Sequence, residues 1–179
     1  GHDVAKDPRT LALSLGSVQL LQRLGAWPAQ AAQPIRRVHV SQQPPTLGAD
    51  AAVRIDALEE GVPMLGAVLS YGALVDALMR RWAEDAAREP QRLVSRFGVK
   101  VEALKAVDDG VEVDAGVAER FDLVVVAEGG VFADQARKAV TRDYGQTAWV
   151  GRVELQGATP GVAFERFTRH GPAALLPLR

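Results

Sequence analysis

The sequence predicts a mixed α/β (α+β) chain, in which a helix-covered sheet layer adjoins an antiparallel sheet, and three observations carry that expectation. The segment FDLVVVAEGG, Phe121 to Gly130, holds the unbroken apolar run Leu-Val-Val-Val-Ala. A run without alternation marks a strand buried on both faces, in the middle of a covered parallel sheet. Leu74, Leu78 and Trp82 recur at spacing four, with Val75, Met79 and Ala86 beside them, and so draw one apolar helical stripe between Gly72 and Pro90. After Pro90, short alternating runs separated by Asp-Gly and Pro-Gly turn signals mark strands.

The elements follow in order. Ser14 or Ser17 caps a first helix that buries Val18, Leu20, Leu21 and Leu24 and stops at Gly25, with Pro28 just beyond. Ile35 to Ser41, IRRVHVS, has the length and β-branching of a strand, and the Pro- and Gly-rich stretch from Gln42 to Asp50 reads as a loop. On the second helix, Asp76, Arg80, Arg81 and Arg88 lie off the apolar stripe and form a solvated face. Val99 to Leu104 and Val111 to Val113 alternate around Asp108-Asp109-Gly110, a hairpin signal. Thr147 to Leu155 and Val162 to Thr168 read as two strands joined through Pro160-Gly161, and His170-Gly171-Pro172 turns into Ala173 to Leu178.

Composition narrows the function. The chain has 179 residues, of which 47% are apolar and 24% charged, a formal net charge of -1 and no cysteine. Nucleic acid is not an expected partner, because phosphate binding calls for a basic excess. Disulfides, thiolate metal ligands and a cysteine nucleophile are excluded. No apolar run approaches the roughly 18 residues of a spanning helix and no signal-peptide pattern opens the chain, so a cytoplasmic protein is the default expectation. His2, His39 and His170 are far apart, which leaves no metal site to predict. The GxSxG and SxxK signatures of serine hydrolases are absent, as are GxGxxG and the phosphate-binding GxxxxGK[ST] loop. What stands out is Glu128-Gly129-Gly130 at the end of the apolar run. Glycines there admit a ligand close to the backbone, and a carboxylate accepts hydrogen bonds from ribose hydroxyls, which points to a nucleotide.

Four stretches occur in one order: RTLALSLGSVQLLQRLGAW (Arg9 to Trp27), PIRRVHVSQ (Pro34 to Gln42), FDLVVVAEGG with Arg137 downstream, and DYGQTAWV followed by AFERFTRHGPAALLPL (Asp143 to Val150, Ala163 to Leu178). Together they resemble the flavin-dependent aromatic hydroxylases of ubiquinone biosynthesis, the 2-octaprenyl-6-methoxyphenol hydroxylase-like group within the p-hydroxybenzoate hydroxylase superfamily. The resemblance implies FAD as cofactor, NAD(P)H as reductant and a phenolic quinone precursor as substrate, hydroxylated with O₂. It also implies an interior fragment, inactive alone, because the family's GxGxxG loop and its later Gly-Asp flavin motif are both missing. Residues 1–33 and 61–142 then make part of an FAD/NAD(P)-binding Rossmann-like layer, and residues 34–60 and 143–179 part of an antiparallel substrate-domain sheet.

Carried over residue by residue, the resemblance places Arg9 on the arginine that contacts the flavin cofactor. Glu128 and Gly129 fall on the Asp-Gly motif that contributes to FAD and nicotinamide binding, and Arg137 on its trailing arginine. Glu in place of Asp is a departure, since the longer side chain cannot copy the contact unchanged. Ser70-Tyr71 is another, standing where many relatives have a basic or amide residue near the flavin. Phe164, Arg166 and Phe167 are candidates for the substrate pocket, although plain core packing is the better explanation for aromatic residues on strands, and Tyr144 is a candidate to orient the phenol, a structural tyrosine being an equal alternative. No acid-base constellation stands out as catalytic, as expected where a cofactor carries the hard chemistry.

A polyprenyl tail on the substrate would call for an apolar channel, membrane-surface contact or a biosynthetic complex, yet no basic amphipathic helix provides the second. A fragment cut from a parallel sheet would also expose an apolar edge at Leu123 to Val126 and self-associate through it. Two other readings stay open: a non-catalytic binding or assembly module built on the same fold, and a lipid-directed flavin oxidoreductase of the same superfamily.

Overall fold

Ser14 turns the first strand into the first helix. Its Oγ accepts the Ser17 backbone N–H at 3.3 Å, which decides between the two candidate caps. The computed structural model describes residues 4, 7, 9–43, 52–127 and 143–179. They divide into two compact units, Gly1–Leu93 with Leu155–Arg179, and Val94–Glu154.

In the first unit, β1 (Thr10–Ser14) leads into α1 (Leu15–Arg23). The helix ends as its sequence requires: Gly25 takes φ 68°, its N–H reaches Gln22 O at 3.0 Å, and the Ala26 N–H reaches Leu21 O at 2.9 Å. That pair of bonds satisfies carbonyls left open by the last turn, and only glycine adopts the left-handed backbone without cost. Val18 and Leu21 are buried as predicted, whereas Leu20 and Leu24 are exposed.

A 3₁₀ turn (Ala29–Ala31) follows, then β2 (Gln33–Ile35) and β3 (Arg37–Gln42). The single strand expected over Ile35 to Ser41 is therefore broken at Arg36, and the break passes the chain from one sheet to another. β2 joins β5 (Gly66–Ser70) and β1 in a three-stranded antiparallel sheet of order β1-β5-β2. β3 joins β4 (Ala52–Asp56), β9 (Val162–Thr168) and β10 (Gly171–Leu175) in a sheet of order β10-β9-β3-β4, antiparallel except between β3 and β9. At the crossing, the N–H groups of Arg36 and Arg37 both donate to Gly161 O, at 2.8 and 3.1 Å.

The strand buried on both faces is β5. Ala67 and Leu69 pack with Val18 and Ala32, against Leu13, Trp27 and Leu74; Val68 packs on the other side with Ile35 and Ala163. Full burial of a Leu or Val side chain contributes roughly 1.5–3 kcal/mol, so this central strand is the main apolar anchor of the unit. Gly66 opens it where a Cβ would lie 2.3 Å from Leu13 O, which fixes glycine at that crossing of β1. α2 (Tyr71–Arg88) starts directly from β5, capped by Ser70, whose Oγ accepts the Ala73 N–H at 3.2 Å. Asp76–Arg80 and Arg81–Asp85 pair along its polar side at 3.0 and 2.9 Å, a solvated face as predicted.

In the second unit the predicted turn at Asp108-Asp109 joins β6 (Ala103–Val107) to β7 (Gly110–Asp114), although the first strand, expected over Val99 to Leu104, begins only at Ala103; β8 (Ala118–Phe121) adds a third antiparallel strand. Two expectations are corrected. Leu123 to Ala127 forms no strand, and Leu123 and Val125 are 76% and 78% exposed: an apolar run needs neighbours on both edges to become a central strand, and no described strand lies beside it. Thr147 to Leu155 also forms no strand, with Trp149 94% exposed. Both edges of β9, the strand it was expected to join, are taken by β3 and β10. Among the described residues no helix is long and apolar enough to cross a membrane.

Candidate functional site

Arg9 stands at the junction of β1 and α2. Asp7 grips it side-on: Oδ1 and Oδ2 both accept from Nε at 3.0 Å, Oδ2 accepts from Nη2 at 2.7 Å, and Oδ1 also takes the Arg9 backbone N–H at 3.0 Å. The guanidinium carbon sits 4.8 Å from the centre of the Tyr71 ring, a cation–π distance. Hydrogen bonding by Asp7, then its charge, raises the Arg9 pKa above the ordinary arginine value, so the group is a permanent cation. Its side chain is nevertheless 72% exposed, against 13% for Asp7.

The same short segment closes the start of α2. Tyr71 N–H donates to Arg9 O at 2.7 Å, Gly72 N–H to Asp7 O at 3.3 Å, and Ala73 N–H to the Ser70 cap. Three of the four N–H groups that a helix leaves open are thus satisfied within the protein. The donor left for an anion is the outer edge of Arg9, since Nη1 makes no hydrogen bond among the described residues. A charged guanidinium with free N–H groups in a planar fork matches a phosphate or diphosphate, so the chemistry of this donor set fits the phosphate-bearing part of FAD.

The predicted pocket residues separate. Alternation along β9 puts Phe164 and Arg166 on one face and Phe167 on the other, the face of the buried Ala163. Register brings His39 and Ser41 of β3, and Arg54 of β4, to the face of Phe164 and Arg166. Contacts agree: the His39 and Phe164 rings meet edge-on, with centroids 5.6 Å apart at 74°, and Arg166 Nη1 donates to Ser41 Oγ at 3.2 Å. Arg37 and Asp56 share this face and pair at 2.6 Å, so its three arginines stand against one carboxylate. His39 Nε2 is enclosed there without a hydrogen-bond partner among the described residues.

Glu128, Gly129 and Arg137 lie outside the described residues. Tyr144 is exposed and belongs to the second unit. An open groove of about 340 Å³ runs between Gly25–Ala31 and the middle of α2, past Trp27, Ala77 and Arg80, and none of the predicted site residues lines it. No group of metal-ligating side chains gathers among the described residues. The sequence reading missed Asp7, whose only signal is its i, i+2 spacing to Arg9; His39, one position in an alternating strand; and Arg37, Ser41, Arg54 and Asp56, which strand register brings to the same face.

No protein-family profile matches the chain. It is 29% identical over 186 aligned positions to the 3-demethoxyubiquinol 3-hydroxylase of Escherichia coli (strain K12), an alignment covering 98% of this chain and 44% of that enzyme. The chain spans less than half the length of this relative, and over nearly all of its own length it is similar to part of a hydroxylase.

Proposed function

We propose that this chain is part of a flavin-dependent hydroxylase acting on a phenolic precursor of ubiquinone. The observation that carries this reading is the similarity to a ubiquinol-precursor hydroxylase along 98% of the chain; the exposed, oriented Arg9 supports it. FAD, reduced by NAD(P)H, would supply the activation of O₂ that no side chain here can perform. Arg9 would hold the cofactor's diphosphate, with Glu128, Gly129 and Arg137 contributing to nucleotide contacts within a Rossmann-like layer. The outer face of β3, β4 and β9 would meet the substrate, Phe164 offering a flat apolar surface and Arg166 a positive charge. Its excess of arginines favours a phenol in its anionic, electron-rich form. A membrane surface or a biosynthetic complex would deliver a substrate with a long apolar tail.

The test is a titration with FAD, followed by quenching of flavin fluorescence, of this chain and of a form extended by flanking coding sequence. Binding by the extended form, with oxygen uptake when NAD(P)H and a ubiquinol-precursor phenol are added, is the expected result. An extended form that binds no flavin overturns the reading.

A further inference from the structure

The Arg9 side chain is long and solvent-facing, and such a side chain ordinarily samples many rotamers. Holding it still costs conformational entropy at the moment an anion binds. Here two neighbours have already restricted it. Asp7 occupies the Nε and Nη2 edge, and the Tyr71 ring lies against the guanidinium. Both neighbours are fixed in turn, because the Asp7 and Arg9 carbonyls accept the first two N–H groups of α2, and the second of those helical residues follows Tyr71 directly. The part of this exposed fork that bonds no described residue is Nη1.

We infer that Asp7 and Tyr71 are positioning residues for Arg9: they present its Nη1 edge, pre-oriented, to the diphosphate of a dinucleotide cofactor. The inference rests on the reading of Arg9 given above and adds to it two residues that touch Arg9. Asp7 has a rival role as an internal anion that competes with the diphosphate for the guanidinium. The geometry favours positioning, because the carboxylate takes the side-on edge and leaves Nη1 without a partner among the described residues.

Equilibrium titrations of the flavin-binding, extended protein with FAD, and with riboflavin as a probe lacking the diphosphate, test this. Arg9→Gln is expected to weaken FAD about tenfold and leave riboflavin unchanged. Tyr71→Leu and Asp7→Asn are each expected to weaken FAD about threefold, again without effect on riboflavin, in keeping with one cation–π or one charge-assisted contact at an exposed site. Tyr71→Phe keeps the ring and is expected to bind as the unsubstituted protein does. In the Arg9→Gln background Tyr71→Leu is expected to add nothing. Tighter FAD binding by Asp7→Asn would make Asp7 a competitor and overturn its positioning role. Unchanged FAD binding by Tyr71→Leu beside a weakened Arg9→Gln overturns the role of Tyr71 while the reading of Arg9 stands. Unchanged FAD binding by Arg9→Gln overturns that reading and the inference together. A purely structural role for Tyr71 would weaken riboflavin as much as FAD.

Discussion

His39 lies in the middle of β3, between Arg54 of β4 and Phe164 of β9, with its Nε2 buried and without a hydrogen-bond partner among the described residues. An enclosed polar atom without a partner costs about 1–3 kcal/mol, and such atoms persist where something other than stability retains them. His39→Phe is therefore expected to raise stability by about 1 kcal/mol, because it removes the orphaned nitrogen and keeps the edge-on ring contact. Urea unfolding of the two proteins checks it, and a loss of stability would show that Nε2 has a partner in solution. Nothing in IRRVHVS announces this. Alternation shows which face His39 takes, but the missing partner depends on strands that come from a distant part of the sequence.

The β3–β4 hairpin shows what pairing between elements adds. Arg37 Nε and Nη2 both donate to Asp56 Oδ2, at 2.9 and 2.6 Å, and the Leu58 N–H donates to Oδ1 at 3.0 Å. The Arg37 hydrogen bonds first, then the Leu58 N–H, hold the Asp56 carboxyl below its ordinary value of 3.8; burial opposes them, and the Arg37 charge adds a lesser lowering. The folded protein thus releases the Asp56 proton more readily than the unfolded chain does. The resulting stabilisation is fully present above the unfolded value and is lost as pH falls below 3.8 through the lower, folded value. Asp56→Asn is expected to flatten the acid limb of a stability-versus-pH curve in that window and to leave its slope above pH 5 unchanged; an acid limb of the same steepness would assign the effect to other carboxylates. Local elements were legible where one residue decides them: Ser14 and Gly25 bound α1, and Asp108-Asp109 turns β6 into β7. Less legible was the doubly buried strand. Gly66–Ser70 is no longer than Leu123–Ala127 and less apolar, yet of the two it alone has strands on both edges and apolar residues on both faces. Burial of that kind is decided by neighbours, which a run of valines does not specify.

At the scale of the whole molecule, part of the candidate site could be read from the sequence and part could not. The grouping of Phe164 with Arg166 and the exclusion of Phe167 from their face follow from alternation alone, whereas the arrival of His39 beside Phe164 and the grip of Asp7 and Tyr71 on Arg9 follow from register and chain crossing. The exposed run Leu123 to Val126 raises a question of the same scale. Leu123, Val125 and Val126 present apolar side chains to solvent, and their backbone pairs with no strand among the described residues. A segment with high β propensity, no charge and no partner recruits another strand. This chain is therefore expected to self-associate as its concentration rises, and light scattering coupled to size exclusion should show mass above that of one chain. Leu123→Glu with Val125→Lys is expected to restore a monomer, because charges on an unpaired edge block strand addition. The form extended by flanking sequence separates two causes. If the added residues supply the missing neighbours, it will run as a monomer with the run protected from amide exchange, and the association belongs to the uncovered run. If the 179-residue chain is already monomeric at every concentration, the run is shielded in some other way, and the edge argument fails.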